Sequence, residues 1–141
     1  MTCKTRTLRI FSILCVEDDQ VARELLRSAL ALRFSSLQLY TAEDGEAGLA
    51  MYRAHRPDIV ITDINMPVMD GIQLVKEIRS LNQEAVLIVM SARSSNNNRL
   101  ALKQSGVSNF VSKPIDYAKL FTTVTDCMET LEGQTSVEKP S

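Results

Sequence analysis

Acidic side chains end two short apolar segments of this sequence. Asp63 ends the segment 58–63, and the acidic cluster 17–19 follows the segment 11–16. Segments this short, rich in β-branched residues and bounded by charge, are typical of strands buried on both faces of a parallel sheet. The carboxyl ends of such strands emerge at one edge of the sheet, so we expect the acids to converge there.

Carboxylates that crowd at one edge repel each other unless a cation lies among them. Oxygen ligands of this kind suit Mg²⁺. The acidic groups therefore predict a metal site with a nucleophile at the carboxyl ends of the strands. Asp19, the last acid of the cluster, is assigned a different role, as the N-cap of the helix that follows.

Strand and helix signals alternate along the sequence. A first helix, at about 20–33, is predicted from residues that recur at helical spacing: Val21, Leu25, Ser28/Ala29 and Leu32. The later elements are strands at about 37–42, 58–62, 85–90 and 107–111, and helices at about 44–55, from Gly71 onward, at 94–105 and at 116–131. Five strand–helix units with short loops predict an α/β domain, a doubly wound parallel sheet with helices on both faces.

The composition fits one globular domain. The chain has 141 residues, of which 45% are hydrophobic and 23% charged. Its net charge of −1 gives no overall excess of positive charge for nucleic acid, so we expect no direct nucleic-acid binding. No apolar run approaches the roughly 18 residues of a membrane-spanning helix, so we expect no membrane partner and a cytoplasmic location.

Cysteine usage and the ends of the chain complete the outline. Cys3, Cys15 and Cys127 are an odd number without metal-binding spacing, which predicts reduced thiols in a cytosolic protein. We expect an N-terminal extension at 1–8, the domain at 9–131, and a polar tail or the start of a linker at 132–141.

Several motifs together resemble the receiver domain of two-component response regulators, over about residues 9–131. They are Val16-Glu17-Asp18-Asp19, then Asp63 followed by Asn65-Met66-Pro67-Val68-Met69-Asp70-Gly71, then Ser91-Ala92, and finally Phe110-Val111-Ser112-Lys113-Pro114. The resemblance implies a CheY-like, flavodoxin-like fold with five helices and strand order 2-1-3-4-5. It also implies that Asp63 takes a phosphoryl group from the phosphohistidine of a sensor histidine kinase or a phosphotransfer protein.

The resemblance assigns a role to each motif residue. The Mg²⁺ ligands it implies are Glu17, Asp18, Asp63 and the backbone carbonyl of Asn65, with Glu17 acting largely through water. The residues it implies for the phosphoryl chemistry are Asp63, Lys113 and Ser91. Its switch residues are Ser91, Phe110 and Pro114, the last of which would follow a cis peptide bond. Beyond this self-phosphorylation and slow dephosphorylation, no enzyme activity is expected.

Phosphorylation is expected to change one face of the domain, made by helix four, strand five and helix five. Ser91 would move toward the phosphoryl group and Phe110 would turn inward. Residues expected on this face are Arg99, Leu100, Lys103, Gln104, Tyr117, Lys119 and Leu120. The changed face would signal to an output domain or protein target. A homodimer is a further alternative, although segment 106–110 lacks the acidic pair of regulators that dimerise there.

Two other functions compete with this interpretation. A phosphohydrolase of the haloacid dehalogenase type also uses an aspartate and Mg²⁺, but it needs Asp-x-Asp on the first strand, and here Asn65 takes the second acidic place. A degenerate receiver that only binds partners would lack Asp63, Lys113 or the metal acids, all of which are present. His55, the only histidine, is interpreted as a solvated residue at a helix end.

Overall fold

The structure is a computed structural model that describes residues 10–92 and 96–138. Some predictions concern residues outside these ranges, namely the N-terminal extension at 1–8 with Cys3, the first residues of the predicted helix at 94–105, and the end of the predicted tail from 139 onward. The division of the chain into extension, domain and tail therefore stays a prediction.

Strands and helices alternate through the described residues. They are β1 (Ser12–Val16), α1 (Gln20–Arg33), β2 (Gln38–Ala42), α2 (Gly45–His55), β3 (Ile59–Asp63), α3 (Gly71–Leu81), β4 (Val86–Ala92), α4 (Asn96–Gln104), β5 (Asn109–Lys113) and α5 (Tyr117–Glu138). All neighbouring strands are parallel, in the order β2-β1-β3-β4-β5. This confirms the predicted flavodoxin-like fold.

The core consists of two layers, one on each face of the sheet. In β1, Ile13 and Cys15 pack on one face against α1 and α5, while Leu14 and Val16 pack on the other against α2 and α3. Every residue of β3 is buried. Burial on both faces explains why the strands appear in the sequence as continuous apolar runs.

Helix α1 occupies its predicted range, but the row of residues that predicted it faces solvent. Val21, Leu25 and Leu32 are 68%, 58% and 88% exposed, whereas Leu26 and Leu30 are fully buried. Helical spacing identifies a helix, but two apolar rows of α1 satisfy that spacing, and only one of them packs against the sheet. The other, here named the α1 surface row (Val21, Leu25 and Leu32), remains on the surface.

The last two elements differ in extent from the prediction. Strand β5 lies two residues later than expected, at Asn109–Lys113, and Gly106 closes the preceding turn with a left-handed φ of 88°. Helix α5 continues to Glu138, beyond its predicted end at 131, because a single glycine, Gly133, does not end a helix. Leu120 was expected on the surface, but it is buried in the core.

Two described cysteines lie in the interior of the domain. Cys15 and Cys127 are buried free thiols, as predicted. Burial raises the pKa of Cys15 to about 12, which keeps it protonated. In the described parts of the chain, no helix combines the length and apolarity needed to cross a membrane.

Candidate metal centre at the carboxyl ends of the strands

The predicted acids converge at one edge of the sheet. Glu17 and Asp18 follow β1, and Asp63 ends β3, the strand beside it. One carboxylate oxygen from each of these three residues lies within 4.8 Å of the others. The convergence expected from the sequence is thus present. At this edge of the sheet, β2 pairs with one side of β1 and β3 pairs with the other side. Ligands of doubly wound sheets bind at such points.

The loop after Asp63 folds tightly back onto the end of β3. The Gly71 N–H donates to the Ile64 carbonyl at 2.7 Å. A Cβ at Gly71 would collide with the Asp63 carbonyl oxygen and would lie 2.8 Å from the Ile64 Cα. Only glycine therefore fits where α3 begins. Within the loop, Val68 has a φ of 71°, a left-handed conformation that is rare for a β-branched residue.

Asp63 is held from two sides. Its Oδ1 accepts from the Ile64 N–H at 2.7 Å, and its Oδ2 accepts from the Lys113 Nζ at 2.9 Å. The same ammonium lies 3.4 Å from the Glu17 Oε1. One lysine cannot balance three ionised carboxylates, so the group carries excess negative charge that a divalent cation would neutralise.

The pKa shifts of Glu17 and Lys113 follow from burial and from the neighbouring charges. Burial raises the pKa of Glu17 above its ordinary value, and the Asp63 charge adds to the increase, while the Asp19 N–H and Lys113 oppose it. For Lys113, burial acts to lower the pKa, but the hydrogen bond and charge of Asp63, together with Glu17, outweigh burial and raise it. The ammonium therefore stays protonated, and the oxygen-only donor set of the acids fits Mg²⁺.

The acidic turn after β1 is fixed by α1. Asp19 caps the helix as predicted, its carboxylate accepting from the Ala22 N–H at 2.8 Å. Arg23 donates to the Glu17 carbonyl oxygen at 2.8 Å. Arg23 is a positioning residue that sequence reasoning missed, because nothing in its spacing distinguishes it from any other polar residue of a surface helix.

Two of the predicted switch residues, Ser91 and Phe110, lie on the next two strands. Ser91 is buried on β4, and its hydroxyl has no hydrogen-bond partner among the described residues. Phe110 on β5 is half-buried and lies opposite Val89 of β4. Because side chains alternate along a strand, Val89, Ser91 and Phe110 share one face of the sheet. A buried hydroxyl without a partner is uncommon, and here it is available to an incoming acceptor.

The structure also describes the remaining predicted residues. The Lys113–Pro114 peptide bond is cis, as the resemblance implies. Asn65 is exposed in the loop after Asp63, and its role as a ligand stays a prediction. His55 is exposed at the end of α2, where it stacks on Tyr40 with ring centroids 4.2 Å apart, and it is not part of the acidic group.

Comparisons with known proteins relate the chain to signalling proteins. The sequence profile described as the response regulator receiver domain matches residues 13–125. The transcriptional regulatory protein PrrA of Mycobacterium bovis is 36% identical over 112 residues, which are 79% of this chain and 47% of PrrA. The response regulator MprA of Mycolicibacterium vanbaalenii is 34% identical over 108 residues, which are 77% of this chain and 46% of MprA. The chain thus spans about half the length of these curated relatives.

Solved structures lead to the same family. The N-terminal domain of an uncharacterized protein from Wolinella succinogenes is similar with a TM-score of 0.81 and 33% identity, over 88% of this chain and 98% of that one. The chemotaxis response regulator CheY4 of Vibrio cholerae is similar with a TM-score of 0.75 and 26% identity, over 84% of this chain and 99% of CheY4. A third similar chain belongs to the CheX–CheY complex of Borrelia burgdorferi, which was solved with beryllofluoride and magnesium. Its TM-score is 0.76 and its identity 30%, over 84% of this chain and 89% of that one.

Proposed function

Because the chain belongs to the response regulator receiver family, we propose that it takes a phosphoryl group from a phosphohistidine onto Asp63. The observation that carries this proposal is the position of Asp63, buried at the end of β3, bonded to Lys113 and grouped with two further acids. A buried aspartate beside a lysine and two further acids is better placed to act as a nucleophile than to cap a helix.

The chemistry follows from the charges. An Asp63 oxygen attacks phosphorus, the bond from phosphorus to the histidine nitrogen breaks, and an acyl phosphate forms on the carboxylate. Mg²⁺ would be held by Asp18, Asp63 and the carbonyl of Asn65, with Glu17 acting largely through water, and would supply positive charge for the phosphoryl oxygens. The transferred group adds a charge of about −2, which Lys113 and the Ser91 hydroxyl are placed to meet. This self-modification and its slow reversal are the only chemistry we assign to the chain.

Beryllofluoride, a non-covalent mimic of the phosphoryl group, tests whether the site accepts this group. We expect Mg²⁺ to shift the backbone amide resonances around Asp18 and Asp63, and beryllofluoride then to shift those around Ser91. That a relative was solved with both supports the choice of probe. The proposed site is wrong if millimolar Mg²⁺ leaves these resonances unchanged, or if beryllofluoride binds equally well without Mg²⁺.

The signal would leave through the face made by α4, β5 and α5. The unpartnered Ser91 hydroxyl and the half-buried Phe110 share one face of the sheet, so a change at Ser91 alters the space available to the ring. Leu100 of α4 is 58% exposed and would contact an output domain, a protein target or a second copy. PrrA is named a transcriptional regulator, but this chain matches only 47% of it. Our expectation of no direct nucleic-acid binding stays a prediction for this chain.

Receiver domains interact with histidine kinases, and the α1 surface row is the best-placed surface for such a phosphodonor. Asp63 is only 7% exposed, so a protein that brings phosphohistidine to it must cover the rim of the site. Helix α1 begins immediately after the acidic turn, and its exposed apolar row starts there with Val21. Val68, in the loop after Asp63, adds a further exposed apolar side chain to the surroundings of the site. Apolar side chains on this rim favour a protein donor.

A further inference from the structure

The one described partner of the Arg99 guanidinium is an aromatic ring. Its central carbon lies 4.9 Å from the ring centroid of Phe110. None of the ion pairs formed by the described residues involves Arg99. A guanidinium at this distance over an aromatic face is attracted by the ring. The contact joins α4 to β5, the edge strand of the sheet.

The position of this contact relates it to the site. Helix α4 follows β4, and Leu102, one turn after Arg99, is buried in the same core layer that Phe110 contacts. Arg99 is therefore nearer the carboxyl edge of the sheet than Leu102. Phe110 and Ser91 share a face of the sheet, and Arg99 is a partly exposed residue in contact with the ring, so movement of the ring toward Ser91 would change this contact.

We propose that Arg99 is a positioning residue that holds Phe110 in its half-buried place while Asp63 is unphosphorylated. The contact favours the half-buried position of Phe110. It therefore lowers the affinity of the site for any group whose binding requires the ring to turn inward. This inference rests on the proposed function, since it assumes that a phosphoryl group at Asp63 and the inward position of Phe110 favour each other.

The test measures beryllofluoride affinity in the presence of Mg²⁺. Arg99→Gln should bind it about two- to five-fold more tightly than the natural chain, the factor of a partly exposed cation–π contact. Arg99→Lys keeps the cation and should stay near the natural value. Lys76→Gln removes one positive charge from an exposed position on α3 and controls for the general loss of attraction to an anion.

A second substitution separates the contact from other effects of Arg99. In a Phe110→Leu background, Arg99→Gln should no longer change the affinity, because the ring that it contacts is gone. An unchanged or weaker affinity of Arg99→Gln in the natural background overturns the proposal. So does an equal gain with and without Phe110, since that gain would not pass through the ring.

A measurement without ligand distinguishes failure of the proposal for Arg99 from failure of the proposed function. Fluorine resonances of protein labelled with fluorophenylalanine, with Phe110 assigned from Phe110→Leu, report the surroundings of the ring before any ligand binds. Arg99→Gln should shift the Phe110 resonance and Lys76→Gln should not. If beryllofluoride fails to bind the natural chain, the proposed function fails. If the resonance does not respond to Arg99, the proposal for Arg99 fails regardless of binding.

Discussion

Glu17 occupies its place at a cost in stability that a bound cation would remove. Burial raises its pKa above the ordinary value, so the folded chain binds this proton more tightly than the unfolded chain. A carboxyl group with a raised pKa lowers the free energy of unfolding when it is ionised. This loss of stability becomes smaller as the pH falls toward the ordinary pKa of about 4.3. Glu17 is therefore suited to the proposed Mg²⁺-bound form of the chain.

Replacing Glu17 should therefore stabilise the metal-free protein. We expect Glu17→Gln to raise the melting temperature in chelator, with a larger gain at neutral pH than near pH 5, and to weaken Mg²⁺ binding. Thermal unfolding at both pH values, with and without Mg²⁺, measures this. A gain that does not depend on pH would show that the ionised carboxylate is not the cause.

Gly71 allows a second prediction at the residue scale. Gly71→Ala should destabilise the fold by about 1–3 kcal/mol, because its Cβ would displace the end of β3. It should also weaken Mg²⁺ binding, since Asp63 is carried by the displaced backbone. Gly133→Ala is the matched control. Its Cβ would meet nothing within 4 Å, and alanine favours a helix interior, so stability should hold or rise. Chemical denaturation compares the two, and equal stabilities would contradict this account of Gly71.

At the scale of elements, the sequence predicts where helices and strands lie better than which side of them faces inward. The acids at strand ends were identifiable because short buried strands leave a clear apolar pattern, so the position of Asp63 followed directly. The buried face of α1 did not follow, because Leu25 and Leu26 fit the helical period equally well and only packing against the sheet distinguishes them. The contact of Arg99 with Phe110 is likewise tertiary and leaves no signal in residue spacing.

The exposed face of α1 carries its own prediction. Leu25→Ser should slow phosphoryl transfer from a phosphohistidine protein by about ten-fold, the effect of losing one apolar contact of about 1.4 kcal/mol. Labelling by acetyl phosphate should not change, because a small donor needs no docking surface. Leu100→Ser is a control of equal exposure, 58%, on the opposite side of the site. If the two variants slow transfer equally, or if Leu25→Ser also slows acetyl phosphate, α1 is not the docking surface.

At the scale of the whole molecule, the site lies where the ends of several strands contribute residues to it. Because β3 lies between β1 and β4, Asp63 has Glu17 and Asp18 on one side and Ser91 on the other, with Lys113 reaching it from the edge strand β5. A phosphoryl group on Asp63 would therefore act on both halves of the sheet. Coupling between linked sites is commonly about 1–3 kcal/mol, enough to change partner binding several-fold or more.

The most direct test of this account is the covalent state of Asp63 after incubation with acetyl phosphate. The intact mass, followed by peptide mapping, should show one phosphoryl group per chain, carried by Asp63, formed with Mg²⁺ and not in chelator. Asp63→Asn should remain unlabelled. No labelling of the natural chain in Mg²⁺, labelling that survives in Asp63→Asn, or a phosphoryl group on His55 would contradict it.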